Sequence, residues 1–265
     1  MKRFSMRRRK FLTASAAGAA GLALSGCDQF DSFLRPGHPV RNALASANEV
    51  TQTVQRTLIG REALAKEFSE SEIRQGMRPN GSTDPNSMEY LFLKQSNFAL
   101  YRLEVDGLVD SPQSYSLEQL RNMPARTQIT RHDCVEGWSC IAKWTGVPLA
   151  AILDEVQPQS NARYCVFHCY DIYGGGLSGG VPYYESIDLL DARHPQTILA
   201  YGMNDEQLPV SNGAPLRVRV ERQLGYKMAK YIQRIELVES FAQLHGGKGG
   251  YGKTTATIGM PGSNP

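Results

Sequence analysis

Five cysteines stand in 265 residues, and four of them, Cys134, Cys140, Cys165 and Cys169, fall in one central stretch whose chemistry governs what the chain can fold around. Three uses compete for them. In an oxidising compartment, disulfides are the default. A zinc site would draw on His132, Cys134, Cys165, His168 and Cys169, but Cys-x5-Cys and Cys-x2-His-Cys are not the spacings of paired zinc knuckles. The third use is a single thiolate on a high-valent metal, the other three cysteines forming at most one disulfide. On spacing alone disulfides come first, and the residues around Cys134 reverse that order.

Residues 1–26 read as a targeting segment and are set apart from the fold. Arg8-Arg9-Lys10-Phe11-Leu12 matches a twin-arginine pattern, with Arg7 where Ser or Thr is more usual. The apolar run from Ala14 to Leu24 is too short for ~30 Å of hydrocarbon at ~1.5 Å per residue. Leu24-Ser25-Gly26-Cys27 resembles a lipobox, which implies acylation at Cys27 and attachment to a membrane surface without a spanning helix. Asp28 resembles the signal that retains lipoproteins at the inner membrane. The expectation is a periplasmic protein, lipid-anchored to the inner membrane and exported folded. Six basic residues and no acid lie in 1–26, so removing them turns the formal charge from +3 to −3. The basic pI therefore belongs to the signal, and no nucleic-acid partner is implied.

Residues 27–40, with Pro36, Gly37 and Pro39, read as a tether. Residues 41–90 form an extension whose spaced Leu44, Ala47, Val50, Val54 and Leu58 predict helices, followed by a loop from Gly76 to Ser87. The body is residues 91–245. Tyr101 to Val105 alternates like a strand, and Ser116-Leu117-Glu118-Gln119 is a capping-box helix start. Thr127 to Arg131 predicts a strand delivering Cys134, and Pro148 to Leu153 a helix. Ala162–Cys169, Thr197–Tyr201, Pro215–Val220 and Tyr231–Val238 read as strands, giving an α+β fold with a mixed sheet and peripheral helices. Residues 246–265 read as a flexible Gly-rich tail. Gly247 to Thr254 matches a P-loop by letter, but too few residues follow, with Gly259, Pro261 and Gly262 among them, to make the helix that a P-loop needs.

Arg131-His132-Asp133-Cys134-Val135-Glu136-Gly137-Trp138-Ser139 resembles the segment that offers a cysteine to molybdenum in sulfite-oxidase-type molybdopterin-binding oxidoreductases. Asn212-Gly213-Ala214-Pro215-Leu216-Arg217 and Gly225-Tyr226-Lys227-Met228-Ala229-Lys230 resemble the family's cofactor-phosphate segments, in order. Over residues 91–240 the build is similar to the single-domain catalytic subunit of periplasmic methionine sulfoxide reductases. The resemblance implies Cys134 as catalytic residue and metal ligand, and Asn212, Arg217, Met228, Ala229 and Lys230 as cofactor-binding residues. A guanidinium suits bidentate recognition of phosphate. Asn97, in Ser96-Asn97-Phe98, resembles a further pterin contact. His168 stands near a cofactor-lining Thr of the family and departs from the pattern; it reads equally as a core histidine. Arg131, His132, Asp171 and Tyr173 are candidates for the substrate pocket.

The function so implied is two-electron oxygen-atom transfer at a molybdenum–molybdopterin cofactor with one pterin, leaning to sulfoxide reduction. The chain has no haem motif or flavin fingerprint, so a membrane haem protein or periplasmic cytochrome would exchange electrons with it, the chain otherwise being monomeric. Sulfite oxidation is the alternative, needing a cationic pocket for which Arg131, Arg193 and Arg222 are candidates. A non-catalytic lipoprotein on the same fold, or a zinc hydrolase, are the rivals from other classes.

Overall fold

The computed structural model describes residue 39 and residues 63–74, 76–134, 136–173, 180–241, 244 and 250, with the side chain of Tyr173 left out. Those from 63 onward lie in one compact unit. The signal, Cys27, the tether apart from Pro39, residues 41–62 and the tail apart from Gly250 lie outside the described residues.

Two five-stranded sheets carry the fold. The first comprises β1 (Arg102–Gly107), β2 (Gln113–Ser116), β5 (Tyr164–Tyr173), β6 (Val181–Asp188) and β10 (Ile232–Val238), in the order β2-β1-β10-β5-β6. It is mixed, because β1 runs parallel to β10 while its other pairs are antiparallel. The second holds β3 (Arg126–Asp133), β4 (Ser139–Pro148), β7 (Thr197–Met203), β8 (Glu206–Gln207) and β9 (Arg217–Val220). It is antiparallel, with β9 pairing on β7. Helices α1 (Met88–Gln95), α2 (Leu117–Asn122), α3 (Leu149–Val156) and α4 (Leu189–Ala192) pack around them. None of the described helices is long and apolar enough to cross a membrane.

Local sequence explains most of these elements. In β1, Leu103 and Val105 are buried while Arg102 and Glu104 are exposed. The α2 capping box forms as predicted: Gln119 N donates to Ser116 Oγ at 3.1 Å and Ser116 N to Gln119 Oε1 at 2.8 Å. Helix α3 buries Leu149, Ile152, Leu153 and Val156 against β4 and β7. At about 1.5–3 kcal/mol for each large apolar side chain, that burial outweighs any helix propensity. Leu103, Val105, Phe167, Ile235 and Leu237 of the first sheet share one core with Leu199, Val218 and Val220 of the second. The opposite face of the second sheet carries Ala142, Trp144, Ile198 and Ala200. Period-two alternation in β9 thus sends its valines to the shared core and Arg217 and Arg219 to the face of Trp144.

Three expectations change. The mixed sheet is two sheets, and β2, β4, β6, β8, α1 and α4 join the predicted elements. In the described part of the extension, residues 63–69 run extended, Glu67 bridges Thr130, and a 3-10 turn spans Glu70–Glu72 before α1. All four cysteines of the body are free and buried. Cys165 and Cys169 lie four residues apart on β5, so at ~3.3 Å per residue they are about 13 Å apart, beyond disulfide reach. Cys140 sits in the other sheet, opposite His132. No group of three or more His, Cys, Asp or Glu among the described residues could hold a metal ion, which removes the zinc reading. Of the P-loop-like string only Gly250 is described; it is buried, and a Cβ there would collide with the Glu185 carboxylate.

Candidate functional site

Cys134 directly follows strand β3 and is 8% exposed. The turn that follows is closed by Cys134 N donating to Trp138 O at 2.9 Å and Gly137 N to Cys134 O at 3.1 Å. Gly137 takes φ 85°, which glycine adopts without a steric cost. The thiol is thereby fixed at the mouth of the β3–β4 hairpin.

Behind it lies a buried cationic layer. Trp144 is wholly buried, with the guanidinium carbons of Arg219 and Arg217 over its ring at 4.4 and 4.9 Å. Ala200 of β7 lies between Gly146 of β4 and Arg217 of β9 in the pairing register, and its small side chain leaves space for that stack. Arg219 is neutralised by Glu221, which accepts its Nε at 3.0 Å and Nη2 at 2.7 Å. Arg217 has no such carboxylate. Its Nη1 donates to Asn212 O at 2.8 Å, while Nε and Nη2 have no partner among the described residues. Burial, then the repulsion of Arg219, pushes its proton affinity down to about 9.

Lys230 joins this layer through Gly213, whose absent Cβ would touch both the Lys230 side chain and the Arg217 Cβ. The Lys230 ammonium donates to the carbonyls of Asn80 at 2.7 Å, Ser211 at 3.2 Å and Ser82. Burial first, and Arg217 second, bring its pKa down to about 7. The Met228–Ala229 backbone runs beside β9, with Val218 N donating to Ala229 O at 3.0 Å. Asn212 is buried; its Oδ1 accepts from Ser211 Oγ and its Nδ2 has no partner among the described residues. Tyr90 of α1 steadies the segment from behind, its hydroxyl donating to Ala214 O at 2.7 Å.

The pocket candidates separate. His132 is fully buried, accepts from Arg219 Nη1 at Nδ1 (2.8 Å), and leaves Nε2 without a partner among the described residues. Burial and the nearby Arg219, Arg217 and Lys230 hold its pKa far below the imidazole range, so it stays neutral. Gly225 makes room for this ring: a Cβ there would stand 2.5 Å from His132 Cε1 and Nε2. Asp171 is buried, its Oδ1 unpartnered among the described residues. Burial raises its pKa to about 6 against the pull of Lys230. Arg131 is exposed and paired with Asp133 at 2.9 Å. His168 Nε2 lies 2.8 Å from Glu236 Oε2 on β10. Asn97 is exposed at φ 49°, and its neighbour Phe98 packs on Tyr90 with ring centroids 5.6 Å apart. Trp144, Arg219, Glu221 and Tyr90 were not foreseen. The Arg217-Val218-Arg219-Val220-Glu221 alternation was the available signal, but a charged stripe opposite valines ordinarily marks a solvated strand face.

The buried donors Asn212 Nδ2, Arg217 Nε and Nη2, and His132 Nε2 lack acceptors among the described residues. Leaving such groups unpaired is costly, and a cation without a counter-ion more so. An anionic group is the complement they fit. The chain belongs to the oxidoreductase molybdopterin binding domain family, whose model matches residues 92–245. It is a molybdopterin-dependent oxidoreductase, which implies a molybdenum–molybdopterin cofactor, and the scaffold reading falls.

Among relatives, the chain is 34% identical over 234 residues to the provisionally named protein-methionine-sulfoxide reductase subunit YedZ1 of Azospira oryzae, covering 88% of this chain and 82% of that protein. It is also 34% identical over 238 residues to the protein-methionine-sulfoxide reductase catalytic subunit MsrP of Ralstonia nicotianae, over 88% of this chain and 69% of that one. The crystal structure of the sulfane dehydrogenase SoxCD from Paracoccus pantotrophus aligns with a TM-score of 0.46 at 21% identity, covering 53% of this chain and 39% of that one.

Proposed function

We propose that this protein is an exported, lipid-anchored reductase that removes the oxygen atom from sulfoxides, using one pterin cofactor and electrons from a membrane haem protein. The balance is two electrons and two protons per sulfoxide, giving a thioether and water. The observation that carries the reading is the buried Arg217, with two guanidinium donors facing no acceptor among the described residues. Asn212 and Arg217 hold the cofactor's terminal phosphate, helped by the backbone at Met228 and Ala229. Lys230 braces the 80–82 loop beside them. Cys134 offers its thiolate to the molybdenum. When bound, the cofactor supplies two-electron redox chemistry at that metal.

The names of the two relatives support a sulfoxide substrate. So does the state of two of the three arginines named for a sulfite pocket. Arg131 pairs with Asp133, and Arg193 with Asp154 at 2.6 Å, so neither offers an uncommitted cation to a dianion. Twin-arginine export suits a protein that folds around its cofactor before translocation, and acylation at Cys27 would keep it near a membrane donor.

The test is to measure molybdenum and pterin per chain, then assay reduction of methionine sulfoxide with a reduced viologen dye and oxidation of sulfite with an artificial acceptor. Near one molybdenum and one pterin with sulfoxide turnover is the expected result. Sulfite oxidation without sulfoxide reduction would overturn the substrate, and a chain without pterin would overturn the whole reading.

A further inference from the structure

A second set of buried side chains stands beside the phosphate grip and has a fixed hydrogen-bond polarity. Arg126 Nε donates to Gln128 Oε1 at 2.8 Å, so the Gln128 amide nitrogen turns the other way. It donates to Glu221 Oε1 at 2.9 Å and to Gln196 O at 3.0 Å. Glu221 then holds Arg219 in a two-point clamp, with the guanidinium flat on Trp144. The remaining Arg219 nitrogen, Nη1, meets His132 Nδ1 at 2.8 Å. Gln128, Gln196, Arg219 and His132 are at most 1% exposed, and the Glu221 side chain is 1% exposed.

A guanidinium has only donors. His132 Nδ1 must therefore accept, which leaves the ring's one proton on Nε2. That N–H is fully buried, has no acceptor among the described residues, and lies against Gly225 at the head of the segment running to Lys230. Trp138, which closes the turn after Cys134, lies with its ring centroid 5.6 Å from that of His132. The imidazole is thus held between the Cys134 turn and the Gly225 turn, with its Nε2 donor on the Gly225 side. Without Arg219 a buried histidine is free to adopt either tautomer, and half of the choices would present a lone pair where an anion has to sit.

Resting on the cofactor reading above, we infer that His132 is a positioning residue whose Nε2–H donates to the bound pterin cofactor, its tautomer dictated by the Gln128–Glu221–Arg219 chain. His132 moves no proton; it supplies one directed hydrogen bond, and Arg219 and Glu221 act only through it.

The experiment uses the full-length, cofactor-loaded protein labelled with 15N-histidine. Long-range proton–nitrogen spectra, with the His132 signal assigned by its loss in His132→Leu, should show the neutral Nε2–H form. An Nδ1–H or doubly protonated ring would overturn the inference. In parallel, pterin content and the rate of pterin release in mild urea are measured for wild type, His132→Leu and His132→Gln. Loss of one hydrogen bond to a charged group should weaken retention in the leucine variant by roughly 10- to 100-fold. The glutamine variant, which keeps an N–H donor, should recover part of it. Arg219→Lys, which keeps a single donor to Nδ1, should preserve the tautomer, whereas Arg219→Met should yield a tautomer mixture and faster release. Circular dichroism separates misfolding from lost retention, and the glutamine and lysine variants carry the test if leucine or methionine unfolds the chain. Wild-type retention in a folded His132→Leu protein would sink this inference alone. A wild type that carries no pterin would sink the cofactor reading instead.

Discussion

Replacing Arg217 by Met should separate its two roles with opposite signs. Methionine keeps an unbranched stem of similar length and removes the charge and every donor. Nε and Nη2, the groups without partners among the described residues, are the donors open to the cofactor in the loaded protein. Two hydrogen bonds from a charged donor at ~1.5–3 kcal/mol each amount to about 3–6 kcal/mol, or a hundredfold to ten-thousandfold in cofactor affinity. In the cofactor-free protein the ledger differs. The substitution forfeits one bond to Asn212 O and the contact with Trp144, the latter worth ~0.5–2 kcal/mol. Against that, it removes a buried cation with no carboxylate at bonding distance, whose burial is itself unfavourable. The two should nearly cancel, leaving cofactor-free stability within about 1 kcal/mol, or roughly 2–4 °C in Tm for a domain of this size. The assay is molybdenum and pterin content of variant and wild type purified under the same conditions, with thermal unfolding of both from cells unable to make the cofactor. Arg217→Lys is the control, since an ammonium lacks the two-point geometry. Full pterin content in Arg217→Met would refute the assignment. So would a cofactor-free variant several kcal/mol less stable than wild type, because Arg217 would then be a packing residue.

Cys134→Ser should abolish turnover while most of the pterin stays bound, since the phosphate grip lies on other segments; normal activity would remove Cys134 from the metal. Gly225→Ala should cost about 1–3 kcal/mol from overpacking, because a Cβ would press on a His132 ring wedged by Arg219 and Trp138. Adding His132→Ala should restore most of the urea midpoint, and simple additivity of the two losses would disprove the contact. In cofactor-free protein, Lys230 releases its proton near about 7 when folded and keeps it to its ordinary 10.5 when unfolded. Between those values the unfolded chain binds more protons, so stability should climb with rising pH. Urea midpoints should show that climb in wild type and a flatter profile in Lys230→Met; parallel profiles would contradict it. Cys27→Ala should release a soluble protein that is active with an artificial donor and uncoupled from the membrane donor, which fractionation with both assays would show; persistence in the membrane fraction would exclude the lipid anchor.

Much of the architecture is a local matter and was legible in order along the chain. Leu103 and Val105 alternate, Ser116 and Gln119 cap one another, and Leu149, Ile152, Leu153 and Val156 repeat at helical spacing, so neighbours in sequence decide those elements. The family was likewise visible, because the segments around Cys134, Arg217 and Lys230 carry particular residue types at close spacing. Strand β4 escaped although Cys140, Ala142 and Trp144 alternate. Its partners, β3 and β7, are what make that alternation a buried strand.

What only the folded chain decided is which charges are inside. By alternation alone Arg217 and Arg219 share one strand face; the Asn212–Arg217 segment singled out Arg217, and nothing in the sequence marked Arg219 as buried. Burial depends on Trp144 from β4, which arrives from a distant part of the chain. Glu221 satisfies one arginine and leaves the other for a ligand. Arg131 and His132 are adjacent in sequence, yet strand alternation turns Arg131 to solvent and Asp133 while His132 points inward to Arg219. The residue types near a cofactor follow from the sequence, but their polarity, protonation and pairing are set by long-range contacts, because electrostatic energies depend on distance and burial rather than on position along the chain.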